Sequence, residues 1–464
     1  MATMRSLFIQ LAPYWVQDLA VSYYSWKLNR PRRSGSYAAS KEFFSRMQKA
    51  SNREIGQIAS ARLVQFLDYA CKNSQWFNTV NSTSLSDFAI LEKRDVIQNL
   101  DRIRTIDERD AIVSLTGGTT GASMKVLYDP SDMQERIALL DFFREQFGYR
   151  WGAKTAWFSG KSIVTPEDVK IGRCYRDDLF NKIRYFSTFH VNVANFDSYW
   201  KALNKFEPEF IVGFPSSIYE ICIIAKERGL SLKNPVRVYF PTAETVLAVH
   251  RETISAVLGC TVADQYASSE GAPFILQCSA GRMHMYPLSG IFEVVDDDGQ
   301  PAREGEMIVT SFTTKGTPLI RYRIGDRVAL EDETFVCSCG SEHPAIKWLE
   351  GRTTDFVWSP ENGKVSLSNL SNATKDVAGI ICFQISQKER NSISVSVVAS
   401  DAFDSNERKK FVEALRLRVG EKMKIHLKLV DEIPRERSGK FRVLKNSLVE
   451  MRSFSEVEDS VCHN

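Results

Sequence analysis

Phe206-Glu-Pro-Glu-Phe-Ile-Val-Gly-Phe-Pro-Ser-Ser217 is the stretch on which the architecture turns. Phe210 to Val212 is an unbroken apolar run, too short for a helix and apolar on both faces of a strand. A Gly/Pro/Ser turn stops it, and Ile218 to Arg228 continues with helix-forming residues. Strand, turn and helix in that order form the unit from which parallel sheets are assembled. The same grammar recurs at Val236-Arg-Val-Tyr-Phe-Pro-Thr-Ala-Glu-Thr245, leading into a helix that ends near Gly259, and again at Thr261-Val-Ala-Asp-Gln-Tyr-Ala-Ser-Ser-Glu270. Lys154 to Gly160 and Ile183 to Ser187 read as further strands. A helix is expected after Pro130, with Ser131 or Asp132 as its cap. Polar residues at the carboxyl ends of such strands are where open α/β sheets bind ligands.

Outward from this centre the period changes. After Gly281 come the short strands Met283 to Tyr286, Ile291 to Val295, Met307 to Ser311 and Arg327 to Leu330, with Asp296-Asp-Asp-Gly299 as a turn. This predicts an antiparallel region, a small β-barrel. Gly351 to Asn464 carries its own strands (Gly379 to Gln387, Ser392 to Ala399, His426 to Val430) and a helix from Asn406 to about Val419. The expected fold class is α/β: a large N-terminal domain of parallel α/β subdomains plus the barrel, over residues 1–354, and a small α+β domain over 355–464. Ser40 to Lys72 has a helical pattern. Near the N-terminus an aromatic-rich run, Leu7 to Tyr24, precedes the basic Lys27-Leu-Asn-Arg-Pro-Arg-Arg33, the reverse of a secretory leader. A helix packed on its own domain is expected there, and an amphipathic contact with an anionic membrane surface is the alternative.

The chain has 464 residues, too many for one core. Its 43% hydrophobic and 25% charged content is that of a water-soluble globular protein. A net charge of +3 gives no overall grip on nucleic acid, and no uncharged apolar run is long enough to span a bilayer. Nine cysteines without regular spacing imply a reducing cytoplasm.

Ser114-Leu-Thr-Gly-Gly-Thr-Thr-Gly-Ala-Ser-Met-Lys125 alternates glycines with hydroxyls and closes on a lysine. Backbone N–H groups of such a loop can converge on an anion, and Lys125 supplies a point charge. A flexible surface turn is the competing reading. The Walker and dinucleotide glycine patterns are both absent. Cys278 and His284, with Cys337-Ser-Cys339-Gly, make a Cys₃His set suited to structural zinc, against the alternative of separate reduced side chains; His343 is a weaker substitute ligand. Hydrolase chemistry is disfavoured: there is no Gly-x-Ser-x-Gly elbow, and His190, His250 and His426 have no evident nucleophile partner. A hydrogen-bonded buried residue is the expected role of His190, although it could face an acyl pocket.

Four islands stand in order: the glycine-hydroxyl loop, Tyr266-Ala-Ser-Ser-Glu-Gly271, Arg321-Tyr-Arg-Ile-Gly-Asp326 with Gly351-Arg-Thr-Thr-Asp355 behind it, and Pro434-Arg-Glu-Arg-Ser-Gly-Lys440-Phe-Arg442. In this order the chain resembles the adenylate-forming superfamily of acyl-CoA synthetases, luciferases and nonribosomal adenylation domains. Its loop and the Pro208 to Ser216 segment look most like the phenylacetate–CoA ligase and CapK-like branch. The resemblance implies an enzyme that joins a carboxylic acid to AMP, releasing pyrophosphate from ATP with Mg²⁺. The acyl group then passes to coenzyme A, or to an amine, a sugar amine or a carrier-protein thiol. A catalytically silent nucleotide-binding protein is the remaining alternative.

The resemblance also implies roles. Thr116, Gly117, Gly118, Thr119, Thr120 and Gly121, with Lys125, would hold the leaving phosphates, although one extra residue precedes this lysine. Glu270 would ligate Mg²⁺ and Ser269 would touch the α-phosphate. Thr242, Ala243 and Glu244 would line the adenine pocket, with Tyr266 stacking on the base. Asp326 and Arg352 would hold the ribose. Lys440 would be the adenylating lysine on a mobile C-terminal lid turning at Asp355. Phe158, Phe189, Phe214 and Tyr239 would favour an apolar or aromatic acid.

Overall fold

The computed structural model describes residues 12–80, 82–115, 124–160, 163–268, 270–352, 356–374, 376–436 and 440–448. The chain forms two compact units. The first comprises Met1–Ala153, Asp177–Ile183 and Ala263–Gly351; the second comprises Lys154–Arg176, Arg184–Val262 and Arg352–Asn464.

The first unit begins with the helices Tyr14–Arg32, Tyr37–Met47, Asn52–Asn73 and Lys93–Ile103. The helical pattern expected from Ser40 to Lys72 is thus two helices. Ser51 divides them, because its hydroxyl accepts the Glu54 N–H and starts a new helix. Strands Ile112–Leu115 and Lys125–Tyr128 then pair antiparallel, with Leu115 opposite Lys125. Helix Pro130–Glu145 begins one residue earlier than expected. Its cap is Asp129, which accepts the Ser131 N–H, while Pro130 occupies the first turn, where its missing N–H costs nothing. A seven-stranded sheet completes the unit, in the order Gly290–Val295, Glu304–Ser311, Tyr322–Leu330, Ala345–Arg352, Met283–Met285, Ile275–Gln277, Gln265–Tyr266. Phe66, Leu67, Val96, Val126, Met307 and Tyr322 belong to the core between helices and sheet. Each such burial is worth roughly 1.5–3 kcal/mol.

In the second unit a six-stranded sheet runs Tyr175–Asp178, Ile183–Ser187, Thr155–Ser159, Phe210–Gly213, Val238–Pro241, Thr261–Val262. Phe210–Gly213 lies between parallel neighbours on both sides and is buried throughout, which is why its sequence shows no alternation. Helix Pro215–Glu227 leaves its carboxyl end, and helix Ala248–Leu258 stops at Gly259 in the left-handed conformation (φ 64°). The C-terminal part is a four-stranded sheet, in the order Lys424–Leu429, Ser392–Ala399, Ile380–Glu389, Leu444–Asn446, covered by helix Ser405–Val419. Phe411, Leu415 and Val419 fill the space between that helix and the sheet.

Asp404 caps the covering helix by accepting the N–H groups of both Asn406 and Glu407. Asp404→Ala should therefore lower stability by about 1 kcal/mol in a denaturant titration. An unchanged midpoint would show that the cap contributes nothing.

Candidate active site

In the first unit the end of the glycine-hydroxyl loop is set by the Ile112–Leu115 and Lys125–Tyr128 pair. Residues 116–123, and with them Thr116, Gly117, Gly118, Thr119, Thr120 and Gly121, lie outside the described residues, as do Ser269 and Asp355. Lys125 is described, and its ammonium sits on Glu108, with Nζ 2.8 and 2.9 Å from the two carboxylate oxygens.

The turn carrying Glu270 is held from beneath. Arg136, buried in the helix that follows the loop, donates through Nη1 to the carbonyls of Gly271 (2.9 Å) and Ala272 (3.1 Å) and to Thr313 Oγ1 (3.0 Å). Burial opposes its charge, so it needs these three acceptors and the Phe274 ring face 4.5 Å from the guanidinium carbon. Gly271 has φ +91°, and a Cβ there would lie 2.5 Å from the Tyr128 hydroxyl and 2.6 Å from Thr314. A glycine is required next to Glu270 on both counts. Tyr128 is wholly buried. Burial pushes its hydroxyl pKa up to about 12, with Arg136 opposing and the Glu270 charge adding to the rise.

Asp326 follows Gly325 in strand Tyr322–Leu330, and its Oδ2 accepts the Tyr266 hydroxyl at 2.6 Å. Two residues expected to hold a nucleoside are therefore bonded to one another across sixty positions of sequence. Arg352 ends the strand Ala345–Arg352.

In the second unit the carboxyl ends of the parallel strands hold the lysine-bearing segment. Thr242 N–H donates to the Gly213 carbonyl, joining two strand ends, and Ala243 takes a left-handed φ of 65°, a strained setting for a residue with a Cβ. This geometry turns Glu244 toward the first turn of helix Pro215–Glu227. There its carboxylate accepts Ser216 N–H (3.0 Å) and Ser216 Oγ–H (3.0 Å), a favourable place for negative charge. The same Oε1 accepts the Phe441 N–H at 2.8 Å, which fixes the chain immediately after Lys440. Glu436 N–H donates to the Lys440 carbonyl at 3.0 Å.

A second anchor lies beside it. Arg435 donates to Ser216 Oγ (3.0 Å) and to Glu220 Oε2 (2.8 Å), and both charged side chains are under a tenth exposed. Burial pushes the Glu220 carboxyl up to about 7, and Arg435 opposes that rise. Arg435 stands in the fourth sequence island, whereas Glu220 lies outside all four. Its signal was a single acid within the apolar run Ile218-Tyr-Glu-Ile-Cys-Ile-Ile-Ala225. Arg136 carried no comparable signal. Phe158 and Tyr239, expected to favour an aromatic acid, are instead wholly buried in the sheet core, Phe158 stacked on Phe186 at 4.6 Å. Phe214 is buried and Phe189 half-buried. His190 is satisfied by Ser187 Oγ, 3.0 Å from Nδ1.

The Cys₃His set does assemble. The ligand atoms of Cys278, His284, Cys337 and Cys339 all lie within 4.8 Å of one another, although more than fifty residues separate the two pairs. The hairpin between Ile275–Gln277 and Met283–Met285 brings Cys278 to His284, turning at Gly281. Adjacent strands Met283–Met285 and Ala345–Arg352 then bring the loop with Cys337 and Cys339 alongside. His284 Nδ1 is 2.7 Å from the His343 carbonyl, so its Nε2 faces the cluster, 3.7 Å from Cys339 Sγ. Ser341 N–H donates to Cys339 Sγ at 3.4 Å, a bond that suits a thiolate. His343 gives its carbonyl to this support and stacks its ring on Tyr286 at 4.5 Å.

Residues 357–447 match the CapK C-terminal domain family. Protein CapK of Staphylococcus aureus is 33% identical over 408 residues, covering 85% of this chain and 90% of the relative. The phenylacetate-coenzyme A ligase of Thermus thermophilus is 32% identical over 168 residues, covering 33% of this chain and 36% of its own. The indoleacetate–lysine synthetase of Pseudomonas savastanoi is 24% identical over 290 residues, 59% of this chain and 65% of its own. Among solved structures, a 2-hydroxyisobutyryl-CoA ligase in complex with R3-HIB-AMP superposes with a TM-score of 0.70 at 17% identity, covering 90% of this chain and 94% of its own. That likeness shows the fold, with a large N-terminal and a small C-terminal domain. Identity over nearly the whole of both chains goes further: the chain belongs to the CapK family.

Proposed function

We propose that this protein is an adenylate-forming ligase. A carboxylate oxygen attacks the α-phosphorus of ATP, the bond from that phosphorus to the bridging oxygen breaks, and pyrophosphate leaves. The acyl group then passes to a nucleophile, and AMP departs. The observation that carries this reading is the docking of the Lys440 segment onto strand ends through Glu244 and Arg435. A cation held there can meet charge that develops on the carboxylate and the phosphate as the bond forms. Asp326 would take the ribose hydroxyls and Tyr266 the adenine, Arg352 would assist at the ribose, and Ser269 would meet the α-phosphate. Thr242 and Ala243 would border the base. Thr116 to Gly121 would bind the leaving phosphates. Lys125 would join them only by giving up Glu108. Glu270 offers the hard oxygen that Mg²⁺ requires. Residues 355–464 would act as a lid turning at Asp355, exchanging adenylation for acyl transfer.

Coenzyme A is the acceptor we favour, because the Thermus relative and the superposed structure are both named as CoA ligases. An amine acceptor is the second reading, supported by the synthetase that joins indoleacetate to lysine. A sugar amine or a carrier-protein thiol would serve the same chemistry. ATP and CoA pools, and thiols kept reduced, fit the cytoplasm. No described helix is long and apolar enough to cross a membrane.

We also assign Cys278, His284, Cys337 and Cys339 to one structural Zn²⁺. Three thiolates and an imidazole make a closed tetrahedral set with no position for a reacting water, so the ion would staple two hairpins.

Acid-dependent pyrophosphate exchange across a panel of carboxylic acids should be measurable, and Lys440→Ala should lower it by about 10²–10³. No exchange with any acid would count against the chemistry; an undiminished rate in the variant would remove Lys440 from its role. With an active acid in hand, product analysis with CoA and with amines separates thioester from amide. For the metal, elemental analysis should find one zinc per chain, absent from Cys337→Ser and Cys339→Ser, with a lower melting temperature in both. Metal-free wild-type protein of the same stability would refute the assignment.

A further inference from the structure

The helix Tyr14–Arg32 shows its polar side to the protein and its aromatic side to water. Its buried residues are Gln17, Asp18, Ser22 and Ser25. Gln17 Nε2 donates to the Ala12 carbonyl at 2.8 Å, and the other three bind the segment 177–181. The Asp177 N–H donates to Asp18 Oδ1 at 3.1 Å, the Leu179 N–H to Ser22 Oγ at 2.8 Å, and Asn181 Nδ2 to Ser25 Oγ at 3.4 Å. Trp15, Leu19, Tyr23 and Trp26 recur at intervals of four, four and three, which lines them up along one face. They are 65%, 40%, 59% and 40% exposed. Leu179 and Phe180, in the segment to which the helix is bonded, are also more than half exposed. A contiguous face of large apolar and aromatic groups this open to water marks an interaction surface.

The charge on this face selects the partner. Lys27 and Arg30 are exposed on the same helix, and the Arg30 guanidinium carbon lies 5.1 Å from the Trp26 ring centroid. The one acid in the helix, Asp18, is buried on the far side. Trp and Tyr suit the boundary between water and hydrocarbon, where ring and polar edge each find their medium. Lysine and arginine beside them meet anionic headgroups. A second copy of the chain fits less well, since the same helix face of that copy would bring no exposed acid to Lys27 and Arg30.

We propose that this face docks on the surface of an anionic lipid bilayer. The helix lies in the headgroup plane with Trp15, Leu19, Tyr23 and Trp26 inserted, and Lys27 and Arg30 on lipid phosphates. The binding is independent of which acid or acceptor the enzyme uses.

The full chain is sedimented with vesicles of phosphatidylcholine alone and of phosphatidylcholine with phosphatidylglycerol, at low and high salt. Wild type should pellet with the anionic vesicles at low salt, and its tryptophan emission should shift to the blue. The triple variant Trp15→Ser, Tyr23→Ser, Trp26→Ser should bind at least about tenfold more weakly. Lys27→Ala and Arg30→Ala should each cost about fivefold. Melting temperature and pyrophosphate exchange should be those of wild type in all three. Absent exchange in wild type would remove the adenylation reading and leave vesicle binding to be judged alone. The proposal is overturned if wild type stays in the supernatant with anionic vesicles, or if the triple variant pellets equally well. It is also overturned by a wild-type dimer that the triple variant abolishes while vesicles bind neither, or by binding that appears only after residues 2–11 are deleted.

Discussion

Two charged side chains taken out of water at once, Glu220 and Arg435, impose the strictest condition on the second unit. Their ion pair is under a tenth exposed on each side. Breaking such a pair from one side leaves a buried charge without compensation, typically a loss of about 3–5 kcal/mol. Arg435 meets the cost of burial by also donating to Ser216, and Ser216 in turn donates twice to Glu244. Glu244 completes the chain of contacts by accepting Phe441 N–H. The segment with Lys440 is thereby tied to the first turn of a helix and to the end of a parallel strand. The lid rotation we propose would first have to replace these bonds with others.

The same economy of buried charge operates in the first unit. Arg136 satisfies its guanidinium on the carbonyls of Gly271 and Ala272, so the backbone beside Glu270 is held by a side chain that itself cannot move without losing three acceptors. Gly271 leaves room for Tyr128 and Thr314 beneath that turn. In the proposed role of Glu270 as a ligand of Mg²⁺, such support would place the carboxylate before the cation arrives. The Cys₃His cluster follows a comparable rule: the His343 carbonyl orients His284, and the Ser341 N–H donates to the Cys339 sulfur.

The N-terminal helix departs from the pattern that explains the rest of the molecule. The cores of both units are built from buried apolar side chains. In Tyr14–Arg32 Asp18, Ser22 and Ser25 are inside because the neighbouring segment 177–181 offers N–H and amide donors that need acceptors. The aromatic side chains are then left facing outward.

Much was legible in the chain before any coordinates. Short apolar runs ending in Gly/Pro/Ser turns predicted the parallel strands, since a doubly buried strand has no alternation to hide. The order of the glycine loop, Glu270, Asp326 and Lys440 indicated the superfamily, because spacing along a chain is a property of sequence alone. What the sequence could not decide was contact between residues far apart. Nothing in Tyr266 or Asp326 announces their mutual hydrogen bond, and Cys278 and Cys337 meet only because strand pairing carries one hairpin to another. Arg136, Glu220 and the inverted N-terminal helix were hidden for a shared reason. A polar residue becomes structural when burial forces it to find partners, and burial is decided by the fold as a whole.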